Sequence, residues 1–484
     1  MDKYIYNFIT NNTTLRRVKL LLEVTQETLP VNIDTLAVRM NCTVKTIRND
    51  LSLLQDALIP FIHFEMNKKY VTVSCFGADS LKKSMDVLLS NEPLFTIIQG
   101  LFDGVVIDFT DWSERLYLSE TSCKKIFLVL EKKLNMYDLK LKRNPIQIVG
   151  AEEDIRLFFF FFFYHCRDVL SLKSPNKKHR QFTLIGEREA ERYQEHFSVD
   201  YERLLYGVWI VAERICAGKT LKNTNYTDLS YPLPNAWHTF HDICQKNKHI
   251  LNIMQFSMED LSFLYAIFLK CIRLNYRKVK DQFPNLNVTR LLMKEYSLEL
   301  EKIIQMKLDF YEECVLYESR FSKKFQKTDP ELIAYVCNNY PDLFDLSLQV
   351  VRNCFEHTDA NVYSLEDLAT HIALILSLNR AKDKRMKLLL AFSGDSHYIE
   401  HIDSELKRIF SNNIQIISRL NPRNFEDIAN LKIDICITNW KEIRLCSQSV
   451  DIIHTQRIPV AREWIQIYHY IMNKCLNNRG RITI

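Results

Sequence analysis

Apolar residues along this chain recur mostly at helical spacing. Leu15, Val18, Leu21 and Leu22 do so near the start, and Leu204–Cys216, Leu261–Leu274, Val288–Ile304 and Leu365–Asn379 read as long amphipathic helices. Two other patterns interrupt this one. Near the start, Phe61–Phe64 and Tyr70–Val73 flank Asn67-Lys68-Lys69 as a short strand pair, and Leu139–Val149 alternates around Arg143-Asn144-Pro145. Near the end, Met386–Phe392, Ile414–Ile417 and Ile433–Thr438 are brief apolar runs, with a helical pattern from His397 to Phe410 between the first two. Strand, helix, strand, strand predicts a small α/β domain with a parallel sheet.

Five segments follow. Residues 1–74 are helices ending in a strand pair, and 75–150 repeat that plan. Residues 151–278 and 279–384 are helical, and 385–484 form the α/β segment. Ser171–Arg180 and Thr220–Pro234 read as loops. The expected fold class is mainly α and multidomain.

Composition narrows the function classes. The 484 residues are 47% apolar and 25% charged, as in ordinary globular chains. Only 9 glycines argue against a Gly-rich nucleotide loop, and no cofactor is expected. The 13 cysteines are scattered without zinc-finger spacing, which predicts reduced thiols in a cytoplasm. Met1–Thr14 lacks the apolar stretch of a signal peptide. The apolar run Leu157–Tyr164 is far short of the ~20 residues of a membrane span, so Phe158–Phe163 predicts a buried helix and no membrane partner.

The segment Val31–Gln55 carries the most specific chemistry. A helix-turn-helix needs a small residue where its helices cross, and Ala37 is there. It needs a tight turn, and Asn41 tolerates the left-handed conformation. Leu36, Met40, Val44, Ile47 and Leu51 are spaced to pin the two helices together, and Thr43 can cap the second. The recognition helix is then expected from about Thr43 to Gln55, with Lys45, Thr46, Arg48 and Asn49 facing outward. Arg and Asn suit bidentate readout of guanine and adenine, and Lys and Thr suit phosphates. Lys68 and Lys69 would form a basic wing tip.

A second such unit is expected with Trp112–Leu118 as first helix, Ser113 in the small position and Ser119–Leu130 as recognition helix. Its contacts would be Thr121, Ser122, Lys124 and Lys125, with Lys140, Lys142 and Arg143 in the wing. Net charge over 1–74 is only +2, from nine Lys/Arg against seven Asp/Glu, so one unit alone should hold DNA weakly.

Val31–Gln55, the run Asn144-Pro145-Ile146-Gln147-Ile148-Val149-Gly150-Ala151-Glu152-Glu153-Asp154-Ile155-Arg156 and the segment order together resemble the Mga/AtxA family of virulence transcription regulators of Gram-positive bacteria. The resemblance covers essentially the whole chain. It implies two N-terminal winged helix-turn-helix domains at 1–74 and 75–150, the second of Mga type. Two all-helical regulatory domains of the sugar phosphotransferase system (PRDs) would follow at 151–278 and 279–384, then an EIIB-like domain at 385–484. It further implies a homodimer on double-stranded DNA, acting as an activator, with histidine phosphorylation by the phosphocarrier protein HPr. Within Leu368-Ala369-Thr370-His371-Ile372-Ala373, His371 falls where the family has a regulatory histidine. The corresponding position in the first PRD holds Glu202, with His196 out of register. Ser393-Gly394-Asp395-Ser396 occupies the loop where an EIIB protein has its phosphorylated cysteine. A serine there supplies no thiolate, which argues against phosphotransfer and for dimerisation.

Other constellations are weaker. His238-x-x-His241-x-x-Cys244 has possible ligand spacing but lacks a fourth ligand, and no metal is expected. His397 and His401 beside Glu400 and Asp403 lack a Gly-x-Ser-x-Gly elbow nearby, and no enzyme is expected. The alternative function is an RNA-binding antiterminator, since PRDs also occur in those. The N-terminal helix-turn-helix argues against it.

Overall fold

Asn11 starts the first long helix because its carboxamide oxygen accepts from the backbone N–H groups of Thr13 and Thr14, at 2.8 and 3.2 Å. A helix start leaves such donors unpaired, and the side chain satisfies two of them. The helix Asn12–Gln26 then buries Val18, Leu21 and Leu22. A computed structural model describes residues 3–27, 30–75, 79–190, 197–221, 231–276, 287–328, 330–355, 364–378, 386–391, 401–404, 406–407, 414–419, 433–439, 450–455 and 461–478. The chain divides into two compact units, 1–282 with 313–327, and 283–312 with 328–484.

In the first unit, helices Asn12–Gln26, Ile33–Arg39 and Val44–Leu58 pack on a three-stranded antiparallel sheet. The strands Ile62–Met66 and Tyr70–Cys75 pair with Phe64 opposite Val73, and Val31–Asn32 adds to the free side of Tyr70–Cys75. Asp50 is buried in the recognition helix and accepts from Arg16 Nε at 2.6 Å and Arg17 Nε at 2.9 Å, which ties that helix to Asn12–Gln26. Helices Ser80–Leu89, Pro93–Phe102, Phe109–Arg115 and Glu120–Asn135 follow, then the hairpin Lys140–Arg143 with Ile146–Val149. Gly100 permits the close approach of Trp112: a Cβ there would lie 2.6 Å from the indole ring.

The helix Glu152–His165 joins this hairpin to the helices beyond. Phe158, Phe159, Phe160, Phe162 and Phe163 are buried, as a helix that is apolar all round requires. The Phe162 ring meets Phe8 at 5.0 Å and Phe95 at 5.7 Å, Phe158 meets Tyr137 at 5.5 Å, and Phe163 meets Phe102 at 5.0 Å and Trp209 at 4.9 Å. One helix thus touches both helix-turn-helix segments and the helix Tyr201–Cys216. Its N-terminal turn is locked ionically. Glu152 accepts from Arg214 at 2.8 and 2.6 Å, and the fully buried Arg156 reaches Asp260 at 2.7 Å and the Lys219 carbonyl at 2.8 Å.

Several element limits differ from expectation. Helix Lys177–Ala190 begins inside the expected loop Ser171–Arg180, since Asn176 accepts from the Lys178 N–H at 3.1 Å and starts it. The stretch Leu261–Leu274 ends as a strand: helix Met258–Cys271 gives way to Ile272–Leu274, which pairs antiparallel with Phe197–Val199. In the second unit, Val288–Ile304 is not one helix. Asn287–Lys294 stops before Ser297, whose φ is 50°, and a new helix starts at Lys302. The buried Glu312 caps Asn287–Lys294, accepting from the Asn287 and Val288 N–H groups at 3.2 and 2.8 Å.

Helices Pro330–Asn339, Pro341–Phe355 and Leu365–Ser377 follow in the second unit, and helix Ala461–Asn478 comes after its strands in the chain. Its sheet is parallel, in the order Asp451–His454, Ile435–Thr438, Met386–Ala391, Ile414–Arg419. Alternate residues bury on opposite faces: Leu388, Leu390, Ile435 and Ile437 pack with Ile467 and Ile471, and Leu389 and Cys436 pack on the other side. This two-sided burial is why the strands read as continuous apolar runs. The strand Asp451–His454 was not expected from the sequence pattern.

Candidate nucleic-acid interface

Both helix-turn-helix units are built the same way. In the first, helix Ile33–Arg39 ends when Asn41 takes a φ of 49°, and the Cys42 and Asn41 N–H groups donate to the Ala37 and Val38 carbonyls at 3.0 and 3.1 Å. This left-handed closure satisfies carbonyls that the helix end would leave open. Thr43 then caps helix Val44–Leu58, accepting from the Thr46 N–H at 3.2 Å. In the second, helix Phe109–Arg115 ends at Tyr117 with a φ of 54°, and the Leu118 and Tyr117 N–H groups donate to Ser113 and Glu114 at 2.9 and 3.0 Å. Ser119 caps Glu120–Asn135, accepting from the Ser122 N–H at 3.2 Å. Ala37 and Ser113, the small residues expected where the helices cross, are both buried.

The expected contact residues take matching places. Lys45, Thr46, Arg48 and Asn49 on one recognition helix correspond in order to Thr121, Ser122, Lys124 and Lys125 on the other. Lys45, Asn49, Thr121, Ser122, Lys124 and Lys125 are exposed, and Thr46 and Arg48 are half-buried. Leu36, Ile47 and Leu51 are fully buried, with Met40 and Val44 partly so. Both recognition helices run further than the sequence pattern indicated, to Leu58 and Asn135.

Arg48 is engaged within the protein. Its guanidinium donates to the wing-tip carbonyls of Asn67, at 3.4 Å, and Lys68. The tip is also closed by Asn67, which accepts from the Lys69 and Tyr70 N–H groups at 2.8 Å each. Lys68 and Lys69 themselves are exposed. In the second helix-turn-helix Arg143 pairs with Glu131 at 3.0 Å and Lys124 with Glu120 at 3.3 Å, while Lys140 and Lys142 are exposed.

A groove of about 590 Å³ borders the second recognition helix, with Ser122 and Lys125 on one wall and Thr10, Asn11, Thr14 and Asn91 among its other lining residues. At its edge the buried Glu92 accepts from the Thr10 N–H at 2.9 Å and from the Thr10 hydroxyl. Burial raises the Glu92 carboxyl above its ordinary range, and the Thr10 bonds oppose that shift. Sequence reasoning missed both Glu92 and Asp50. Two adjacent arginines in the first helix were the available signal for Asp50, but pairing across elements is not legible from spacing.

The two units are matched separately by known domain families. The M protein trans-acting positive regulator (Mga) helix-turn-helix domain covers residues 14–69, and the Mga helix-turn-helix domain covers residues 78–163. The chain matches the Mga/AtxA family at both of these domains. Its similarity to curated members of the family is low in identity and long in extent. It is 21% identical over 466 residues to the capsule synthesis positive regulator AcpA of Bacillus anthracis, covering 88% of this chain and 94% of that protein. It is 22% identical over 488 residues to the capsule synthesis positive regulator AcpB of the same organism, covering 94% and 98%. The anthrax toxin expression trans-acting positive regulator of Bacillus anthracis is 20% identical over 483 residues, covering 94% and 97%. The chain therefore carries two helix-turn-helix domains of the Mga type, as DNA-binding regulators do.

The Mga match ends at residue 163, within the helix Glu152–His165. Further along, His371 lies half-buried on helix Leu365–Ser377, its Nε2 3.2 Å from the Thr328 hydroxyl and its ring 5.6 Å from that of Tyr311. One helical turn earlier, Asp367 accepts from the Thr328 N–H at 2.7 Å and from the Ser364 hydroxyl. Glu202 is exposed in the first turn of Tyr201–Cys216, 3.7 Å from Arg167. His196, Ser393-Gly394-Asp395-Ser396 and His397 lie outside the described residues. Cys244 is fully buried, and burial pushes its thiol pKa up, whereas His238 lies on the surface. Among the described residues no helix is long and apolar enough to cross a membrane.

Proposed function

We propose that this chain is a cytoplasmic, dimeric activator of transcription that holds double-stranded DNA through both helix-turn-helix domains. The observation that carries this is the repeated head: the same left-handed turn, the same hydroxyl cap and the same outward polar face occur twice, and each copy matches an Mga-family helix-turn-helix domain. Thr43, Lys45, Thr46, Asn49, Lys68 and Lys69 would make the contacts of the first head, with Arg48 at its wing joint. Thr121, Ser122, Lys124 and Lys125 would make those of the second. The positive sign rests on the names of AcpA and AcpB, which are called positive regulators.

The same reading takes residues 151–278 and 279–384 as two PRDs and 385–484 as an EIIB-like domain that serves dimerisation. His371 would accept a phosphoryl group from phospho-HPr. Support comes from its setting: phosphate on Nε2 would displace the Thr328 hydroxyl and place charge one helical turn from Asp367. Such a local change is the kind that shifts packing between subunits. The test is retention of duplex DNA against hairpin RNA by the full chain, with a Lys124→Ala/Lys125→Ala variant beside it. Duplex binding that the variant weakens supports the reading, and preference for the hairpin would replace it with the antiterminator.

A further inference from the structure

Two bulky residues occupy the left-handed backbone region in the described structure, Leu233 at φ 53° and Tyr117 at φ 54°. An L side chain is disfavoured there, and one that persists calls for a compensating interaction. Leu233 has one inside the fold. It is 5% exposed, and Tyr265 donates to its carbonyl and to that of Pro232, at 3.3 and 2.6 Å. Tyr117 is 96% exposed. Its backbone N–H closes the turn, but any residue other than proline would supply that donor. The matching place in the first helix-turn-helix holds Asn41, a residue that tolerates this conformation. The turn therefore accounts for the backbone at position 117 and not for a tyrosine on it.

We infer that Tyr117 is a DNA-contacting residue of the second head, its hydroxyl donating to a phosphate oxygen and its ring lying along the sugar beside it. This rests on the proposed DNA-binding function. The position follows from the turn. Tyr117 stands two residues before the cap Ser119 of the helix that presents Thr121, Ser122, Lys124 and Lys125. In a helix-turn-helix the first helix crosses the DNA backbone and the second enters the major groove with its N-terminal residues at the bases, and Tyr117 stands in the turn between those two helices. Tyrosine hydroxyls are among the ordinary phosphate donors, and such contacts fix register rather than read sequence. A left-handed residue also has its side chain direction set by the backbone, so the tyrosine is held out from the surface before DNA arrives.

The test compares four full-length proteins in duplex binding, thermal unfolding and sedimentation: the parent, Tyr117→Asn, Tyr117→Phe and Lys124→Ala/Lys125→Ala. Tyr117→Asn should unfold no earlier than the parent, since it relaxes the turn, yet bind duplex about tenfold more weakly on every sequence tried. Tyr117→Phe should lose about threefold. Parent-like binding by Tyr117→Asn while the lysine variant binds weakly overturns this inference and leaves the second head in place. Unaltered binding by the lysine variant as well overturns the assignment of that head. Weaker binding by Tyr117→Asn that is accounted for by loss of dimer in sedimentation also overturns the inference, in favour of a contact with a second copy.

Discussion

The Arg48 guanidinium, carried on the first recognition helix, donates to the backbone carbonyl of Lys68 at the wing tip. The sequence alone makes Arg48 a candidate base reader, because a guanidinium suits guanine. The structure gives it a second task, holding helix and wing at a fixed separation. Arg48→Ala should then weaken duplex binding by about three- to tenfold and by a similar factor on cognate and unrelated sequences. Fluorescence anisotropy with both duplexes checks this. A loss confined to the cognate duplex means that Arg48 leaves the wing to read a base.

Phe162 meets Phe8 and Phe95, so one ring joins the N-terminal segment to the second helix-turn-helix. Phe162→Ala should lower the stability of the first unit by about 3–5 kcal/mol, as large-to-small changes in packed aromatic cores do. Denaturant unfolding followed at tryptophan measures it. A change below about 1 kcal/mol would mean that the phenylalanine helix does not bind these segments together.

Glu92 gives the first unit a pH dependence of definite sign. Its folded carboxyl pKa is raised, chiefly by burial, so its contribution is favourable below the unfolded pKa and is lost as pH rises through the folded one. Glu92→Gln keeps an oxygen to accept from Thr10 and has no charge to bury. The variant should unfold later than the parent at neutral pH, and the gap should close as the medium is acidified through the carboxyl range. Thermal unfolding from pH 4 to 8 reads both. A gap that widens towards acid would contradict the burial argument.

Much of the first head was legible in the sequence because its determinants are local. Ala37, the turn at Asn41, the cap at Thr43 and the apolar pins lie within one short segment, and each has a stereochemical reason to be where it is. The second head was legible by analogy with it. Contacts made across elements were not: nothing in spacing pairs Asp50 with Arg16 and Arg17, Glu92 with Thr10, or Glu152 with Arg214. The strand Ile272–Leu274 was hidden because its apolar period continues the preceding helix, and only pairing with Phe197–Val199 makes it extended. The Glu-Glu-Asp-Ile-Arg run, carried at first only by resemblance, has physical content in the fold. Glu152 and Arg156 lie one helical turn apart, and each reaches a different neighbouring element.

The bond between His371 and Thr328 bears on control. If the Thr328 hydroxyl competes with phosphate for that Nε2, Thr328→Val removes this one bond, and labelling of the full chain by phospho-HPr should be about threefold faster than in the parent. His371→Ala should take no label. Equal labelling of parent and His371→Ala would place the phosphate elsewhere.

The central claim is that two heads hold duplex DNA together, and the salt dependence of binding tests it most directly. Each phosphate contact contributes a slope of about −0.9 to log K against log salt. Lys68→Ala/Lys69→Ala in the first head and Lys124→Ala/Lys125→Ala in the second should each make the slope shallower by about one to two, and the combined variant by their sum. A slope that neither pair changes, or that only one pair changes, would contradict the account.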